Sequence, residues 1–391
     1  MFNLIRNPRA LAARIAALLA LVWLAACQPG PMGNSGQKID SSAPVKVALL
    51  VPSGSGNAGD ETLARALQNA ANLAIRDLKG TRIDLQVYNT AGNPQQAAAM
   101  ATKAADEGAK VILGPVYAQS ANAAGLAVAS RNINVLAFSN NTNVAGGNVF
   151  VLGPTFQNTA NRLASFAARQ GKQRIMVVHE QTTAGEIGAQ AIQRAIARSG
   201  ASLAGVASYP FSQQGVVDAT PQIASRVKSG DVDALFLTAD TAGALPLLTQ
   251  LMGEQGVTPQ TTQYIGLTRW DIPPATLSLP GTQGGWFAEP DPALQQQFVS
   301  RYTAAYGQAP HPIAGLAYDG VAAIGALVKS GNPNALTKQG LTQRSGFVGV
   351  NGVFRLLPDG TNERALAVAQ VRNGQAVVID PAPRNFGGFG F

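Results

Sequence analysis

Two histidines, one cysteine and one Gly-x-Gly-x-x-Gly loop are where chemistry would first be sought in this 391-residue chain. His179 ends an apolar run with Glu180 and Glu186 close behind it, and His311 stands between Pro310 and Pro312. A catalytic base needs a nucleophile or a bound metal to act on. No serine occupies a Gly-x-Ser-x-Gly elbow, and no Cys/His cluster has metal-ligand spacing. His179 therefore reads as a polar strand-end residue, and the chain as a non-enzyme with no cofactor and no metal. The loop Gly54-Ser55-Gly56-Asn57-Ala58-Gly59 follows a strand-like run and precedes a helical one, as a dinucleotide turn would. The next strand ends in Asn89-Thr90 instead of the acid that would bind a ribose, so the loop reads as the edge of a cleft.

What remains is a set of small polar residues at the ends of apolar runs. In the first half these are Ser53 and Ser55, then Tyr117 and Ser120, then Ser139, Asn140 and Asn141. The second half contributes Thr182 and Thr183, Thr238 and Asp240, and Thr268 with Trp270. Such residues serve equally well as helix caps. A cap needs no aromatic ring, which makes Tyr117 and Trp270 the stronger ligand candidates. Their origin in both halves suits a ligand clamped between two lobes.

The elements that position them alternate. Residues 111–113 and 135–138 are continuous apolar runs of strand length and 45–51 is nearly so, while Ile83, Leu85 and Val87 alternate with polar residues as an edge strand does. Helical periodicity separates them, for instance at Leu63, Leu67, Ala70, Ala74 and Leu78, and Asn93-Pro94 reads as an N-cap followed by proline at the first helical position. The same strand and helix order restarts after residue 154 and runs to about residue 267. This predicts an α/β fold of two doubly wound parallel-sheet lobes. Strands near 347–357, 365–371 and 376–379, with an Asn373-Gly374 turn, close the chain, and residues 381–391 read as a mobile tail.

Charged residues make up only 13% of the chain, and its net charge of +8 falls to about +5 without the arginines of the leader described next. The basic residues are scattered, with no cluster interleaved with aromatics, which argues against a nucleic-acid partner. Residues 1–26 read as a targeting leader: Arg6, Arg9 and Arg14 precede an uncharged run too short to span a bilayer. The run ends Leu24-Ala25-Ala26-Cys27, which resembles the bacterial lipobox. That resemblance implies acylation of Cys27, a lipid-bilayer partner, and a periplasmic protein held at the outer membrane, since Gln28 follows in place of Asp. Residues 27–44 read as a flexible tether.

The segments Val47-Ala48-Leu49-Leu50-Val51-Pro52, Val87-Tyr88-Asn89-Thr90 and Ile112-Leu113-Gly114-Pro115 resemble the type I periplasmic binding proteins of the leucine-binding class. The resemblance covers about residues 45–380. It implies lobe 1 from 45–150 and 291–330, lobe 2 from 155–281 and 345–380, and three hinge crossings near 150–155, 281–291 and 331–345. Where that class places an aromatic residue and an acid around the amino group of its ligand, this chain aligns Ala184 and Thr268. The chain also resembles the penicillin-binding protein activators, through its Ala-Leu-Leu-x-Pro opening, Val-Tyr-Asn-Thr strand and Gly-Pro turn. Two readings follow. The first is a non-catalytic, membrane-anchored regulator that contacts a bifunctional peptidoglycan synthase. The second is the receptor of an ABC importer, which hands an amino-acid-like, amide or peptide solute to a permease.

Overall fold

The computed structural model describes residues 36–386; the expected leader, Cys27, the tether as far as residue 35 and residues 387–391 lie outside the described residues. Lobe 1 is built on a parallel sheet of β1 (Val45–Val51), β2 (Ile83–Asn89), β3 (Val111–Leu113), β4 (Asn134–Ala137) and β5 (Val149–Val151), in the order β2-β1-β3-β4-β5. The half-polar β2 takes the edge, as its alternation predicts. Side chains alternate across the pleat. Val47, Leu49 and Val51 face a core shared with α1 (Ala58–Asp77), while Ala48 and Leu50 face α2 (Pro94–Asp106) and α3 (Ala118–Val128). The small alanines of α2 and α3 let both helices lie close to the sheet. Asn93 caps α2, its side chain accepting from Gln96 N at 2.9 Å ahead of Pro94.

Lobe 2 repeats the plan. The strands β6 (Arg174–Glu180), β7 (Ser202–Tyr209), β8 (Ala234–Leu237), β9 (Gln263–Gly266) and β10 (Trp286–Glu289) are parallel. The helices α4 (Phe156–Arg169) and α5 (Thr183–Ser199) cover one face, and α6 (Gln213–Arg226) and α7 (Leu245–Glu254) the other. Val178 and Leu237 point to the second core, Val177 and Phe236 to the first. The helices α8 (Pro292–Tyr306) and α9 (Gly315–Lys329) return to the lobe 1 core, and the short α10 (Lys338–Leu341) follows.

The C-terminal boundaries differ from the sequence expectation. Leu336, Leu341, Phe347, Phe354 and Leu356 belong to the core of lobe 1. Residues 331–345 are therefore not a crossing, and residues 345–356 are not part of lobe 2. A three-stranded antiparallel sheet, β11 (Phe347–Gly349), β12 (Gly352–Leu356) and β13 (Asn362–Arg364), carries the chain across instead. The chain then enters lobe 2 as β14 (Ala367–Arg372) and β15 (Gln375–Asp380), both antiparallel to their neighbours. The turn between them, Asn373-Gly374, has φ of +51° and +75°, the pairing a tight hairpin demands. Strand β10 places the second crossing after Glu289, at the late end of the expected 281–291.

Both ends of the described chain are tied down more than expected. In the second half of the tether, Ile39 is buried in lobe 1 and its N–H donates to Pro333 O at 2.9 Å, so from residue 36 onward the chain is docked. At the other end, Asp380 pairs with Arg162 at 2.8 Å and Arg169 at 3.0 Å, and the Arg355 guanidinium lies 4.5 Å from the Phe386 ring centre. Residues 381–386 thus run along the body of the protein. Among the described residues no helix is long and apolar enough to cross a membrane.

Candidate functional site

The crossings form a stitched junction. Asn362 Nδ2 donates to Val151 O at 2.8 Å and Gly153 O at 2.9 Å, and Asn158 exchanges two hydrogen bonds with the Arg364 backbone at 2.9 Å each. Arg162 Nε donates to Leu366 O at 2.7 Å. At the centre, Arg364 Nε donates to Leu152 O and Nη1 to Asp319 Oδ2, both at 2.9 Å. The side chains of Arg364 and Asp319 are 3% and 0% exposed. A buried charge persists only when paired and bonded, and Asp319 is well supplied: Val350 N at 2.8 Å and Asn351 Nδ2 at 3.1 Å also donate to it.

Beside this junction lies a cavity of about 270 Å³. Lobe 1 contributes Asn140, Ile313 and Leu316, and lobe 2 contributes Phe156, Thr159, Leu267, Thr268, Arg269 and Ile272. The crossings add Pro154, Thr155, Pro290, Arg364 and Leu366. The wall is mostly apolar, but two of its buried polar atoms, Thr268 Oγ1 and Arg364 Nη2, have no hydrogen-bond partner among the described residues. Arg269 is held by Asp271 through Nε at 2.9 Å and through a second, shorter bond, and lies 3.7 Å from Glu289. Burial pushes the Glu289 carboxyl up to about 7; Asp271 adds to the effect and Arg269 opposes it.

The sequence candidates divide among four places. Asn140 and Thr268 line the cavity. Ser139 Oγ accepts from Asn141 N, and the Asn141 side chain accepts from Asn143 N, so both serve their own loop. Ser53, Ser55 and Tyr117 gather at the start of α1 without lining the cavity. Ser53 Oγ and Gly54 N donate to Glu61 at 2.7 and 2.6 Å, Ser55 Oγ accepts from Asn57 N, and Tyr117 donates to Asp60. The glycine loop thus wraps a carboxylate of its own helix, which holds the Glu61 pKa below the usual range. Tyr117 is 41% exposed, with its hydroxyl pushed up to about 12 by the bond to Asp60 and by burial, and Ser120 is buried in α3.

A third group sits at the ends of β6 and β8. Thr182 caps α5, Thr183 is exposed beside it, Thr238 donates to Glu180 at 2.7 Å, and Asp240 is exposed. The fourth place is the lobe 2 core, where Trp270 is fully buried against Phe287. A Cβ on Gly266 would stand 2.3 Å from its Nε1, and one on Gly285 2.3 Å from its ring. Trp270 is therefore a core residue fitted to two glycines and not a ligand-facing ring. Sequence reasoning passed over Arg364, Arg269 and Asp319. The signal for Asp319 was present: it is the one acid in the otherwise apolar segment Gly315–Lys329.

A further constraint shapes the end of β3. Gly114 has φ of +82°, and a Cβ there would stand 2.3 Å from Leu50 O, so only glycine passes β1 at this point. The following Pro115 is cis, and Pro115 O accepts from Phe138 N at 3.0 Å, which links the loops after β3 and β4.

Comparison with known proteins agrees with this architecture. Solved structures of similar fold include a branched-chain amino acid ABC transporter periplasmic ligand-binding protein from Burkholderia xenovorans, at 17% identity over 88% of this chain and 97% of that one, with a TM-score of 0.67. An ABC transporter substrate-binding protein from Sphaerobacter thermophilus gives 19% identity over 88% and 98%, with a TM-score of 0.66. A leucine-binding protein from Thermotoga maritima gives 18% identity over 86% and 98%, with a TM-score of 0.57. No curated protein sequence matches. The periplasmic binding protein family model matches residues 44–376, nearly the whole described chain, and the protein belongs to that family.

Proposed function

We propose that this protein is the solute-binding component of an ABC importer, closing its lobes on a compact organic solute and presenting it to a membrane permease. The observation that carries this reading is the cavity at the junction, lined from both lobes and holding two buried polar atoms without partners. Buried polar groups are nearly always bonded, so a cavity with an unbonded Arg and Thr is suited to a polar ligand. The substrate-binding neighbours support this reading over the cell-wall regulator that the sequence also resembles. Family membership places the protein in the periplasm. The test is thermal denaturation against a broad panel of small solutes. A ligand at 100 times its Kd stabilises the native state by about 2.7 kcal/mol. A flat response across the panel, with binding to a peptidoglycan synthase instead, would replace this reading with the other.

A further inference from the structure

The cavity is selective in its unbonded polar groups. Its lining contains two arginines, Arg269 and Arg364, and no Asp, Glu, Lys or His. The acids nearest to it are already engaged: Asp271 and Glu289 pair with Arg269, and Asp319 with Arg364. These pairs engage the arginines as fully as the acids, so what the wall still offers a solute is donor capacity, which a carboxylate takes up and an ammonium group cannot. Arg364 is 4% exposed with Nη2 unbonded, and Thr268 Oγ1 is a second unbonded donor in the same wall. Charge-assisted bonds of this kind are the stronger ones, and burial strengthens them further. The remaining wall, including Phe156, Ile272, Ile313 and Leu316, asks for an apolar body. The cavity volume of about 270 Å³ exceeds the roughly 150 Å³ of an apolar cavity that holds benzene, so a compact solute of that size class fits.

From this the geometry points to a compact carboxylic acid without an ammonium group, its carboxylate bonded by Arg364 and Thr268 and its apolar body held by the rest of the wall. The inference rests on the solute-binding reading above. It is tested by calorimetric titration of the full chain with two matched sets: 4-methylpentanoate, 4-methylpentanamide and L-leucine, and benzoate, benzamide and L-phenylalanine. Within at least one set, the acid binds tenfold or more tightly than its amide and its amino acid. Thr268→Val leaves the unliganded melting temperature unchanged and weakens the acid by about tenfold to a hundredfold, as expected for a lost bond to a charged group. An amino acid that binds as well as or better than the matching acid, or an amide equal to it, overturns the inference while leaving the solute-binding reading intact. An acid whose affinity ignores Thr268→Val overturns the assignment of the anchor. If neither these probes nor a broad solute panel binds, both readings fall.

Discussion

Replacing Asp319 with alanine removes the acceptor on which the junction converges. Three donors lose a partner: Arg364 Nη1 at 2.9 Å, Val350 N at 2.8 Å and Asn351 Nδ2 at 3.1 Å. Stranding one member of a buried ion pair costs about 3–5 kcal/mol, and leaving a buried backbone N–H unbonded costs about 1–3 kcal/mol. The two share one network and do not add fully, so the expected loss is about 4 kcal/mol or more. With a urea slope of about 3 kcal/mol/M, the upper end for small proteins, the midpoint of the lobe 1 transition falls by roughly 1 M. Asp319→Asn keeps one acceptor and should lose less. Arg364→Met added to Asp319→Ala removes the stranded charge and should recover part of the loss, because a buried pair exchanged for apolar residues is often near neutral. A drop below about 1 kcal/mol for Asp319→Ala, or a double variant weaker than the single by the full cost of each, would show that this pair does not hold the crossing.

Two other perturbations follow from the same structure and a third from the sequence. Glu289 is 6% exposed with a carboxyl raised from 4.5 to about 7. The native state therefore holds a proton that the unfolded chain has released, and stability present below about pH 4.5 is lost as pH rises through 7, by on the order of 3 kcal/mol. Glu289→Gln should flatten that slope in melting curves taken from pH 4 to 8, and an unchanged slope would assign it to another group. A Cβ on Gly349 would lie 2.0 Å from Asp319 Oδ1, so Gly349→Ala should lower stability by about 1–3 kcal/mol in urea melts, and a neutral result would mean that β11 shifts freely. Cys27→Ala should release the protein from the membrane fraction if the cysteine carries the expected lipid, since stable anchoring takes more than one acyl chain; retention in that fraction would remove the lipid anchor.

The two-lobe architecture was legible because continuous apolar runs and helical periodicity alternate twice along the chain. The short β3 shows this, since Val111, Ile112 and Leu113 are all fully buried. The third crossing was not legible. Leu336 precedes and Leu341 ends a helix of only four residues, too short to show a period, so nothing in the sequence reveals that they dock into lobe 1. The cavity was legible only in part. Asn140 and Thr268 were found because they follow strands, whereas Arg364 lies in a three-residue strand whose partners, Leu152 and Asp319, are distant in sequence. Trp270 misled because an aromatic ring after a strand looks available. The glycines that receive it, Gly266 and Gly285, come from different strand ends and meet only in the fold.

The claim that the cavity at the crossings is the solute site is tested most directly by filling it. Thr268→Trp places a large ring where Asn140, Arg269 and Arg364 converge on the same space. For whichever probe raises the melting temperature of the unaltered chain, the account predicts that the shift disappears in Thr268→Trp while the variant still unfolds cooperatively. A shift of undiminished size in that variant would place the solute elsewhere and contradict the account.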